Sequence, residues 1–165
     1  MTDALLKQSK LTNLGGTAVA SNQRTYSYFI DANPARYQAP TLVRASIDAL
    51  TDLEIATERQ EIGVGVVSLQ VLFGVDPANT GGVTAYQTGA QVVAAGNSSK
   101  VRSAKILVLT RSIYPDKDFT NPQAVLLLTT WFNEPGFTNY TIGSNEMSNR
   151  FVVQQTEVAV RNELW

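Results

Sequence analysis

Val101-Arg-Ser-Ala-Lys-Ile-Leu-Val-Leu-Thr-Arg111 is the clearest strand in the chain. Its centre, Ile106 to Leu109, is continuously apolar, which suits a buried strand. Arg102, Lys105 and Arg111 charge its ends, and Tyr114-Pro115-Asp116 turns the chain out of it. Working outward, Gly63 to Val75 places apolar residues on both parities. That pattern predicts a strand covered on both faces, with a bulge near the glycines. Asp76 to Gly82 is a turn-rich loop, and Val83 to Ala95 accommodates a short strand and a helical turn. Thr25 to Ile30 is aromatic and β-branched, Leu42 to Leu50 suits a strand, and Asp52 to Glu61 a turn or a return strand. Toward the C-terminus, Ala124 to Phe132 fits a strand or a short helix, and Arg150 to Val160 a long strand.

The first residues have a different texture. Asp3 to Leu14 reads as a short helix, capped by Thr2 or Asp3 and stopped by Gly15-Gly16. Its apolar side chains Leu5, Leu6, Leu11 and Leu14 are expected either to dock on the sheet or to form an interface with neighbouring subunits. Twelve residues make a marginal helix alone, so it must pack on something. One helix and about six to eight strands predict an α+β domain dominated by antiparallel sheet. Residues 1–24 would be helix and linker, and residues 25–165 the β-rich head of one structural domain.

Composition removes several chemistries. The 165 residues are 44% apolar and only 16% charged, which excludes a disordered chain. A net charge of -1 provides no broad field to attract nucleic acid or an anionic membrane. With no Cys and no His, disulfides, thiolate metal sites, Cys nucleophiles and the usual imidazole base are absent. No apolar run is long enough to span a bilayer, and Met1-Thr2-Asp3 does not open a signal peptide. The expectation is a cytoplasmic chain or one whose targeting segment has been removed.

The remaining motifs are weak. Gly63-Val-Gly65 starts like a dinucleotide loop, but Ser68 stands at the third glycine position and strand follows in place of a helix. Glu58 with Glu61, and Asp116 with Asp118, are the carboxylate pairs a glycosidase would need. Their polar neighbours would leave both acids ionised. Asp76 brings one carboxylate to its loop, too few for calcium. Arg102, Lys105 and Arg111, with Lys100, form a basic cluster that either solubilises a strand or touches phosphate or acidic sugar. Trp131 and Tyr140, with Phe132 and Phe137, either fill the core or stack on a sugar or base. No catalytic, metal or cofactor residues are assigned.

Three segments in order resemble the PilW-type minor pilins and, more weakly, the GspJ-type pseudopilins of type II secretion. They are Glu61-Ile-Gly-Val-Gly-Val-Val-Ser-Leu-Gln-Val-Leu-Phe-Gly-Val-Asp76, Lys100 to Ser112, and Arg150 to Asn162. Phe73 stands where Tyr is usual, Lys105 where Arg is usual, and Val160 where Leu is usual. The resemblance implies a pilin-like fold, a short N-terminal helix on an antiparallel sheet. It implies a non-enzymatic structural subunit of a type IV pilus or secretion fibre, with other minor and major pilins or pseudopilins as partners. It also implies an extracytoplasmic location and an inner-membrane anchor through an N-terminal helix that this sequence lacks. The alternative is a β-sandwich binding module for glycan or DNA, using Arg102, Lys105, Arg111, Trp131 and Tyr140.

Overall fold

The computed structural model describes residues 10–12, 25–32, 39–48, 51, 53–131 and 133–160. The chain divides into two compact units, Met1–Val66 and Val67–Trp165.

The first unit is a meander of four strands, β1 (Lys10–Thr12), β2 (Thr25–Asp31), β3 (Thr41–Ile47) and β4 (Gln60–Val64), each antiparallel to the next. Alternation on β3 sets its inward face: Thr41, Val43 and Ala45 are buried, while Leu42 and Arg44 are half-buried. Arg44 lies over the Tyr26 ring at 4.6 Å, and Arg59 over Phe29 at 5.4 Å, so each stem covers aromatic surface. The register of β4 slips between Leu42 and Val43, which leaves Ile62 as a bulge beside Gly63. Gly65 then turns the chain with φ at +83° while its N–H donates to Pro40 O at 2.7 Å.

The α+β expectation, a short N-terminal helix packed on the sheet, is overturned. Lys10, Leu11 and Thr12 form a strand opposite Ser27, Tyr26 and Thr25. The described α-helices are α1 (Gly89–Ala94) and α2 (Leu128–Trp131), of six and four residues. The fold is predominantly antiparallel β. So short a helix gains little alone, whereas the open edge of β2 offers Lys10–Thr12 backbone hydrogen bonds at once. Leu5, Leu6 and Leu14 lie outside the described residues.

The second unit is built on β5 (Val66–Val75), β6 (Ala85–Gln87), β7 (Val101–Arg111) and β10 (Phe151–Ala159), in the order β10-β7-β5-β6. The predicted strand over Gly63 to Val75 is therefore two strands in two sheets, separated by the Gly65 turn. β7 and β10 are antiparallel without interruption from Phe151 opposite Arg111 to Ala159 opposite Ser103. β8 (Val125–Leu126) and β9 (Tyr140–Thr141) form a short ribbon. The segment between them closes one face of the large sheet: Leu128 and Phe137 pack with Leu72 and Leu107, flanked by Tyr86 and Val153. Val75, Val92 and Val101 make a second cluster beside Phe73. A capping box starts α1, with Gln91 N–H donating to Thr88 Oγ1 at 3.3 Å and Thr88 N–H to Gln91 Oε1 at 2.8 Å.

Candidate functional site

The basic residues of β7 are the natural place to look for a ligand site. Side chains alternate along a strand, so Lys105 and Arg111 emerge on the face that buries Leu107, and Arg102 on the other. Each cation meets a carboxylate from a different part of the second unit.

Lys105 Nζ pairs with Glu134 Oε1 and sits 3.7 Å from the centre of the Tyr86 ring. Both side chains of the ion pair are largely buried. Across the ladder from Lys105, Glu157 accepts a hydrogen bond from Tyr86 Oη at 2.6 Å and from Ser103 Oγ at 2.7 Å. Burial works against the Lys105 charge, but the Glu134 hydrogen bond and charge outweigh it and the ammonium pKa rises. Tyr86 is raised by burial and by its bond to Glu157, whose own carboxyl is lowered by the Tyr86 and Ser103 donors. At neutral pH these shifts leave an ammonium, a neutral phenol and a carboxylate, none of them tuned to exchange a proton there.

Arg111 Nε lies 3.1 Å from Glu146 Oε1, in ion-pair range but off hydrogen-bond alignment. Glu146 Oε2 accepts from Tyr140 Oη at 2.9 Å and from Gly143 N–H at 3.1 Å. The Tyr140 ring leans on Phe151 at 5.8 Å between centres. Burial first, then Glu146, pushes the Tyr140 phenol upward.

Arg102 Nη2 donates to Asn79 Oδ1 at 3.3 Å, and its Nε is 3.8 Å from Asp76 Oδ2. The fully buried Asp76 carboxylate accepts from Thr80 N–H at 2.9 Å, Thr80 Oγ1 at 3.1 Å and Gly81 N–H at 2.8 Å. Asn79 and Gly81 adopt positive φ, 55° and 92°, to aim the loop at it. The Thr80 N–H is the main reason that the Asp76 pKa falls, against the opposing effect of burial.

The other candidates separate from this group. Leu11 stands on β1, Trp131 closes α2, and Glu58 and Glu61 belong to the first unit. Arg150 grips Asp116 Oδ2 through Nη2 at 2.8 Å and Nε at 2.9 Å, and Asp118 N–H donates to Asp116 Oδ1 at 3.1 Å. Among the described residues no three acidic side chains gather to hold a metal ion.

A family model described as type IV pilus-assembly protein W matches residues 27–162, from β2 through the end of β10. The chain belongs to that family. No curated protein and no solved structure matches it. Membership in the PilW family assigns the chain to type IV pilus assembly, in company with other pilus components and at an extracytoplasmic or pilus-associated location. Among the described residues no helix is long and apolar enough to cross a membrane.

In this PilW-family chain the cations of β7 hold three loops, around residues 76–82, 133–136 and 143–149, against the sheet. Arg102, Lys105 and Arg111 each anchor a separate loop, and Tyr140 joins the Arg111–Glu146 pair, while of Trp131 only the backbone position is described. Sequence reasoning missed Glu134, Glu146, Glu157 and Tyr86. The only hint of them is the near balance of 13 basic and 14 acidic residues, which says that pairing is available but not who pairs.

Proposed function

We propose that this chain is a minor pilin: a non-enzymatic subunit that enters a type IV pilus in small numbers and acts through its shape and surfaces. Family membership supports a role in assembly. The observation that carries the subunit reading is the use of the charged side chains. Lys105, Arg111 and Arg102 are each neutralised by a carboxylate that fastens a loop. Such pairs stiffen a scaffold and leave little free charge on β7 with which to recognise phosphate or an acidic sugar. A rigid head suits a part whose neighbours must find the same contours each time. Other pilins are the partners on this reading.

The test is incorporation. Pili sheared from cells carrying a functional, epitope-tagged copy should contain the tag at a small fraction of the major pilin. Deleting the gene should lower the number of surface pili several-fold. A tag that stays wholly in the cell envelope while pili form normally would overturn the subunit reading and leave an assembly role outside the fibre.

A further inference from the structure

We propose that the outer edge of β10 is a self-pairing surface, through which two copies of this chain join their large sheets antiparallel about Gln155. The inference stands on backbone geometry and does not depend on the proposed pilus role. Two hydrogen bonds bracket the strand: Ser112 N–H donates to Arg150 O at 2.8 Å, and Val160 N–H to Arg102 O at 2.7 Å. The register between them is unbroken, so even-numbered residues direct their backbone groups toward β7. The N–H and C=O groups of Phe151, Val153, Gln155, Glu157 and Ala159 therefore point away from it. Among the described residues no strand lies on that side.

This edge lacks the usual protections. Native sheets blunt long edges with Pro, Lys, a bulge or a short strand. β10 has nine residues, no Pro, no Lys and no bulge. In contrast, the opposite edge, β6, has three residues. The single charge on β10, Glu157, is drawn back to its own sheet by Tyr86 and Ser103.

The strand is also complementary to itself. A two-fold axis at Gln155 sets Val152 opposite Val158 of the second copy, and Gln154 opposite Thr156, twice each. Val152 and Val158 are 54% and 48% exposed, unusual for valine, and would cover one another. Glu157 would face Val153, not its own copy, so no like charges oppose. Moving the register by one step weakens the match: one direction sets Val158 against Arg150, and the other keeps one kind of valine pair, Val152 with Val160, but sets Val158 against Gln154.

Sedimentation velocity on the full chain should show a reversible, concentration-dependent dimer. Gln155→Pro removes an outward N–H without touching the β7 ladder, and eliminates both hydrogen bonds at the axis. It should weaken dimerisation about ten- to a hundredfold. If its circular dichroism shows misfolding, Val158→Lys, at an exposed side chain, takes its place with the same expected direction. Because the chain has no Cys, single cysteines report the register. Gln154→Cys mixed with Thr156→Cys should oxidise to a mixed disulfide dimer in preference to either like pair. A wild-type chain that stays monomeric at all concentrations would overturn the proposal. So would a dimer indifferent to both strand variants, cross-links without preference, or β10 cysteines that in cells capture only another pilus component.

Discussion

Lys105→Met tests whether β7 uses its cations internally. The substitution leaves the Glu134 carboxylate, whose side chain is only 15% exposed, without its ammonium. Removing one partner of a fully buried pair costs about 3–5 kcal/mol; the remaining exposure here screens the orphaned charge and lowers that to about 2–3 kcal/mol. Loss of the cation over Tyr86 adds roughly 0.5–1 kcal/mol, giving a total near 3 kcal/mol. Adding Glu134→Gln removes the orphaned charge, so the double variant should return to within about 1 kcal/mol of wild type, a coupling of about 2 kcal/mol plus whatever Glu134→Gln costs alone. Urea unfolding followed by tryptophan fluorescence is the assay. Trp131 ends α2 in the second unit, so its signal reports the part of the chain that holds the pair. With a slope typical of small domains the midpoint should fall by about 1–2 M. A single variant that loses less than about 1 kcal/mol would refute the reasoning. So would a double variant as unstable as the sum of its parts. Either outcome would free Lys105 for the ligand-contact role considered from the sequence.

Three further outcomes follow from the same geometry. Phe137, 1% exposed and packed with Leu72, Leu107 and Leu128, should cost about 3–5 kcal/mol as Phe137→Ala, read in the same urea experiment. Gly65→Ala, at a φ of +83°, should destabilise the first unit by about 1–2 kcal/mol, measured by the loss of hydrogen-exchange protection at β3 and β4. Lys105, Tyr86 and Tyr140 all have pKa values raised above their ordinary 10.5 and 10.0, so the stability they contribute is complete below about pH 10 and is lost as pH rises further. Denaturation midpoints should therefore fall steeply on the alkaline side, and Lys105→Met should flatten that limb.

Several strands were legible because composition and burial coincide in them. Thr25 to Ile30 is aromatic and β-branched, Ile106 to Leu109 is apolar without a break, and Arg150 to Val160 is rich in valine; each became a strand with nearly the expected limits. The segment Lys10 to Thr12 misled, because Leu11 and Leu14 keep helical spacing and nothing local reveals that β2 presents an open edge. Gly63 to Val75 misled in another way. A glycine inside a β-rich run reads the same whether it is extended or turned to positive φ, and Gly65 turns. The capping box at Thr88 and Gln91, by contrast, is a local pattern and could have sharpened the reading of α1.

The candidate site divides along the same line. That β7 carries Arg102, Lys105 and Arg111, and that Asp76 opens a loop closed by glycines, follows from the order of residues alone, as does the absence of His and Cys chemistry. Which carboxylate answers each cation does not. Glu134, Glu146 and Glu157 reach β7 from loops and a strand distant in sequence, and they meet it only after the β8–β9 segment folds over Leu72 and Leu107 and β10 pairs in register. Local propensity acts over a few residues and is written in them. An ion pair across a sheet depends on register and on which face a loop covers, and these are settled by the packing of the whole unit.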